Sequence, residues 1–170
     1  MRISNKTVIF WNLAVLIQFL LPLKKLDLFQ ENYSTLSLNR SGYLYLLTLG
    51  ISIGILCAYE TMHIHSERNG YLVFFSLILG VIVPHHVPYD FQGNLHLLFA
   101  YLSASAFTAL TYLNIQKDMC HPKLFGILML GITAAILSCL KAGMVGSLSE
   151  AILMCTLLFI NCYLYVRKTV

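Results

Sequence analysis

Charge is what this chain has least of. Only 11% of its 170 residues are Asp, Glu, Lys or Arg, against about 25% in an ordinary soluble domain. Eighteen charges cannot solvate a globule that is 58% hydrophobic. That excludes a soluble enzyme, a nucleic-acid-binding domain and a disordered tail. The chain also lacks any Cys-x-x-Cys: Cys57, Cys120, Cys139, Cys155 and Cys162 stand apart. Four of them fall inside apolar runs, where cysteine behaves as a small apolar residue, so neither a disulfide framework nor a redox centre is expected. Hydrolytic signatures are missing as well. There is no Gly-x-Ser-x-Gly elbow, no His-Glu-x-x-His, no phosphate-binding glycine loop and no Glu-Glu pair of the intramembrane CAAX-protease kind.

What is present is a series of six apolar runs of membrane-spanning length. About 20 apolar residues carry a helix across roughly 30 Å of hydrocarbon. The runs predict spans at about 7–23, 42–60, 70–86, 95–116, 124–141 and 149–166. They are continuous rather than alternating, which excludes the strands of a membrane β-barrel. The expected fold is therefore an all-α integral membrane bundle of six transmembrane helices, forming one domain over 1–170. The first run follows Arg2 and Lys6 but has no small-x-small cleavage site after it. It reads as a retained helix rather than a signal peptide.

Six spans put both termini on one face. That face holds Arg2, Lys6, Arg68, Lys117, Lys123, Arg167 and Lys168, and the other holds Lys24, Lys25, Arg40 and Lys141. The excess favours cytoplasmic N and C termini in a multi-pass protein of the cell membrane. The net charge of +4 is then a topology signal, and nucleic acid is not expected as a partner.

Lipid tails do not drive apolar helices together, so packing should rely on small residues and buried polar contacts. Gly50, Gly54 and Ala58 form one stripe, Ala100, Ala104 and Thr108 a second, and Gly131, Ala135 and Cys139 a third. These stripes are expected to face protein, with the second and fourth spans forming the tightest contact. The longest connection, 24–41, places Leu26, Phe29, Tyr33 and Leu36 at helical spacing between polar residues. It predicts a short amphipathic helix lying in the outer interface.

The six histidines split between the two faces, so no single site can use them all. His63, His65 and His121 fall on the cytoplasmic side, where a solvated loop is the default and Glu60 is spaced to pair with His63. His85, His86 and His96 fall on the outer side. There Pro84 and Pro88 interrupt the helix, and irregular backbone at membrane depth must be covered by protein or water. His96 shares the stripe of Ala100 and Ala104 and should point inward. Glu150 opens the last span, and a carboxylate there should face the bundle or a wet cavity. His85, His86, Asp90, His96, Lys141 and Glu150 are thus the candidate lining of one outward-facing polar pocket. No cofactor is required. The alternative is a divalent metal such as zinc on His85, His86, Asp90 and His96, although their spacing does not put these ligands on one element.

A helix ending at Pro84, then Asp90, then Gly93-Asn94-Leu95-His96, and finally Leu148-Ser149-Glu150 opening the last span resembles a known pattern. It is similar to six-span proteins of the FGF-receptor-activating-protein/DRAM/Sfk superfamily and their bacterial relatives of unknown function. The likeness covers the third to sixth spans, roughly half the chain, and does not account for the doubled His85-His86. It implies a role in membrane lipid handling, without a shared reaction, and carries over Asp90, His96 and Glu150. The function expected is binding of a lipid or other amphiphile in the outer pocket, with membrane lipids as partners and room for a homo-oligomer or a partner membrane protein. The rival expectations are a metal-dependent intramembrane hydrolase or transferase, with Glu150 as general base, and a small-solute transport component. The last is ranked lowest because the first span has the single alanine Ala14 and lacks an Ala-x-x-x-Ala docking stripe.

Overall fold

The structure, a computed structural model, describes residues 3–85, 90–117 and 121–169. Six α-helices run through them: α1 Asn5–Leu20, α2 Arg40–Ile64, α3 Glu67–Ile82, α4 Phe91–Lys117, α5 Pro122–Ala142 and α6 Ser147–Thr169. No strand occurs among the described residues. Five of the helices are long and apolar enough to cross a membrane; α1 reaches that length together with the 3-10 turn Leu21–Lys24 that continues it. The exception is α3. It begins at Glu67 rather than at 70 and stops at Ile82, ahead of the expected 86. Val83 is already extended, as a residue before proline prefers.

Local signals set the other helix ends. Ser4, Asn39 and Ser66 cap α1, α2 and α3, each side chain accepting the N–H of the residue three further on. Asp90 does the same for α4, with Gly93 N 2.6 Å from Oδ1. Pro122 opens α5, where a missing N–H costs nothing. Gly143 closes it at φ 72°, the left-handed conformation that only glycine adopts freely.

α6 is the hub of the bundle, in contact with α1, α2, α4 and α5, while α3 packs along both α2 and α4. Close approaches occur at the stripes of α2 and α5, but not between the predicted partners. A Cβ on Gly50 would stand 2.7 Å from Val81, so α2 turns its small stripe to α3, and Gly80 of α3 meets Ser103 of α4 just as closely. The expectation that the second and fourth spans make the tightest contact is therefore corrected: α3 serves both, and α2 and α4 scarcely touch. Gly131 of α5 lies directly against Thr156 of α6.

Buried polar groups tie the helices together in the half that carries the termini. Asn161 of α6 accepts from Asn114 Nδ2 (2.8 Å) and donates to Thr111 (2.9 Å), both on α4. Asn114 also donates to Thr61 of α2 (3.1 Å). Beside them Asn12 of α1 donates to Glu60 Oε1 at 2.6 Å, and Glu60 is wholly buried. The expected Glu60–His63 pair does not form, because His63 Nδ1 instead bonds the Tyr59 carbonyl at 2.8 Å. The bundle's exterior is strongly apolar: Phe10, Phe91, Leu130 and Leu140 are 72, 83, 71 and 72% exposed.

Candidate functional site

The connection after α1 does not form the single amphipathic helix expected of it. A turn at 27–31 is followed by a 3-10 helix, Tyr33–Leu38, and the two make a strap folded over the end of the bundle away from the termini. The reason lies in its polar side chains, which compete with helical hydrogen bonds. Asp27 Oδ1 accepts from the N–H groups of Phe29 (2.9 Å) and Gln30 (3.1 Å), and Glu31 Oε2 accepts from Asp27 N (2.8 Å). Asn32 then caps the 3-10 helix by accepting from Thr35 N (3.1 Å).

Contacts distant in sequence hold the strap down. The first N–H groups of a helix lack intrahelical partners; those of Ser147 and Leu148 in α6 donate to Glu31 O (2.6 Å) and Leu28 O (3.1 Å) of the strap. Gly146 permits this approach, since a Cβ there would come within 2.8 Å of the Leu28 carbonyl. Tyr33 N donates to Glu150 Oε2 at 2.7 Å. The Tyr33 ring stacks on Phe19 at 4.3 Å between centroids, and its hydroxyl donates to Phe19 O at 2.6 Å. Burial, and then the nearby Glu150 carboxyl, push the Tyr33 phenol above its ordinary value, so it remains a neutral donor.

Ser34, the next residue, bonds His96 Nε2 at 2.8 Å. His96 Nδ1 lies 2.7 Å from the Val83 carbonyl. A carbonyl only accepts, so Nδ1 carries a proton, and in the neutral ring Nε2 accepts from the Ser34 hydroxyl. His85 N donates to Ser37 Oγ at 2.7 Å, and the His85 ring meets His96 edge-on at 5.4 Å.

Beneath the strap lies a chamber of about 190 Å³ among α2, α3, α4 and α6. Tyr33, Ser34, Ser37, His96 and Glu150 supply polar groups at its capped end, while Ile53, Leu77, Phe107 and Leu157 are among its apolar walls. A second and larger space, about 740 Å³, separates α4 from α5 and is lined by residues such as Thr108, Ala109, Ile132 and Ile136. Both spaces reach Ala100, Ala104, Glu150 and Leu153. The small residues of α4 thus line a cavity rather than seal a helix pair.

Of the six candidates, His96 and Glu150 line the chamber and His85 stands beside His96. His86 lies outside the described residues. Asp90 is exposed and serves as the α4 cap. Lys141 is also exposed and is absent from the described lining of both spaces; its Nζ lies 4.9 Å over the Phe29 ring on the strap. Among the described residues no three His, Cys, Asp or Glu gather as metal ligands, and both His96 nitrogens already hold hydrogen bonds. The strap itself was missed by sequence reasoning. The signal available was the run of Asn32, Ser34, Thr35 and Ser37, whose hydroxyl and amide groups disfavour a regular helix.

No family model, curated protein or solved structure matches this chain.

Proposed function

We propose that the chain crosses the cell membrane six times, with α3 as the short third span and both termini in the cytoplasm, and that its outer chamber binds a lipid or other amphiphile. One observation carries this reading: a chamber with polar groups at its capped end and a wider apolar cleft share Glu150 in their walls, between helices whose outer faces suit lipid. Ligand sites are typically concave and mostly apolar, with a few converging polar groups, and occupy roughly 300–1,000 Å³. The cleft falls within that range, and the chamber adds the polar end. The short α3 is compatible with a span because the strap and the start of α4 cover the backbone beyond Ile82. The distribution of Lys and Arg supports the orientation, and the superfamily resemblance carried by His96 and Glu150 points to the same broad role in lipid handling.

The test is the profile of lipids that co-purify with the protein, compared with that of a His96→Ala/Glu150→Ala double variant and of Ala104→Trp, which fills the junction and leaves the strap's bonds intact. Both variants should lose a co-purifying species. An unchanged profile in both contradicts the reading.

A further inference from the structure

The junction of chamber and cleft also carries information about the head of the ligand. Glu150 is the only residue with a formal charge among the described lining of the two spaces, and no Lys or Arg lines either one. Lys141, the one Lys or Arg among the candidate pocket residues, lies over the Phe29 ring at the surface. Only one Glu150 oxygen is engaged: Oε2 takes the Tyr33 N–H, while Oε1 has no hydrogen-bond partner among the described residues. The side chain is half-buried, and its residue belongs to both spaces.

An isolated carboxylate in apolar surroundings is costly unless a partner neutralises it. A phosphate or carboxylate head would add a second negative charge with no cation to meet it. An alcohol would satisfy Oε1 but leave the charge uncompensated. A protonated amine does both, because ammonium with carboxylate is net neutral and places an N–H between the two groups.

Resting on the reading of this space as an amphiphile site, we infer that the ligand is a long-chain amine without a phosphate, its nitrogen on Glu150 and its single hydrocarbon tail in the cleft between α4 and α5. The strap closes the end of the bundle through bonds at Tyr33, Ser34 and Ser37 and through the first turn of α6. The ligand therefore enters sideways from the lipid, through the gap where α4 and α5 make little contact. Ala100, Ala104, Thr108 and Ala109 leave that gap open by the smallness of their side chains.

The experiment is a binding titration of the purified full chain in nonionic detergent, read by native mass spectrometry, with hexadecylamine, 1-hexadecanol and hexadecanoate as probes of equal chain length. The amine should bind at least about tenfold tighter than the hexadecanoate, as expected for pairing rather than opposing a buried charge. Glu150→Gln keeps an acceptor for the Tyr33 N–H, and it should bring the amine down to the level of the alcohol while leaving alcohol binding in place. Thr108→Trp, which fills the cleft, should weaken all three probes at an unchanged melting temperature. Equal binding of the probes, a preference for hexadecanoate, or an amine preference that survives Glu150→Gln overturns the head assignment and leaves the amphiphile site standing. Full binding by a folded Thr108→Trp variant overturns the placement of the tail. Failure of all three probes to bind overturns this inference and the amphiphile reading together.

Discussion

Among the described residues each half of the bundle holds one inward-facing carboxyl group, and the two are treated in opposite ways. Glu60, in the half with the termini, is closed in completely, with Asn12 against one oxygen, and it lines neither of the two spaces. It behaves as an inter-helical fastener in the same layer of the fold as Asn161, Asn114 and Thr61. Glu150, at the capped end, spends one oxygen on the strap, and its residue lines both spaces. A buried carboxyl group alone therefore does not mark a site. What separates the two is whether the structure leaves room at the carboxylate.

The comparison breaks most visibly at the strap. Tyr33→Ala removes a stacked, buried ring and its bond to Phe19, and should cost about 4 kcal/mol in chemical unfolding while opening the chamber. At the other end Asn12→Leu alone should cost about 2 kcal/mol, because it leaves Glu60 buried without its donor. Asn12→Leu with Glu60→Met should recover most of that loss, since removing both partners is far cheaper than removing one. The matching double change at the capped end, with Glu150→Met, should recover nothing, as the strap loses its acceptor. Asn161→Leu, which cuts the α4–α6 fastener, should cost about 1 kcal/mol.

A smaller effect follows from pH. The folded-state value of Tyr33 is raised, so its contribution to stability is present below the ordinary phenol value of about 10 and is lost as pH rises beyond it, where the unfolded chain ionises first. Unfolding curves of Tyr33→Phe should therefore fall less steeply with alkali than those of the unsubstituted chain. The smallest effect is expected of Lys141→Met, within about 0.5 kcal/mol, since its contact with Phe29 is an exposed cation–π pair.

Much of the helical frame was legible because it depends on local pattern. Hydrophobic run length placed α1, α2, α4, α5 and α6 within a few residues of their ends, and Pro84 marked the end of α3. The inward direction of His96 and Glu150 followed from position on a helix and from the cost of placing them against lipid. Asp90, expected in the pocket, caps α4, and that role had a local signal: an Asp one residue before a helix start, three before Gly93, is a favoured cap. Lys141, expected in the pocket, lies exposed over Phe29, as a long amphipathic side chain can reach away from its own helix face toward water. The strap and the α4–α5 cleft were not legible. The bonds from Glu31 to Ser147 and from Tyr33 to Glu150 join residues more than a hundred positions apart, and periodicity carries no information about them. Small residues on α4 announce that something approaches closely, but not whether it is a helix or a ligand.

The most direct measurement is photo-crosslinking in lipid nanodiscs with a long-chain amine carrying a diazirine in its tail, followed by peptide mapping of the adducts. Occupancy of the junction and cleft predicts adducts at Ala104, Thr108 and Ile132, competed away by unlabelled hexadecylamine. Adducts confined to the outer surface at Phe10, Leu130 and Leu140, and unaffected by that competitor, would contradict the account.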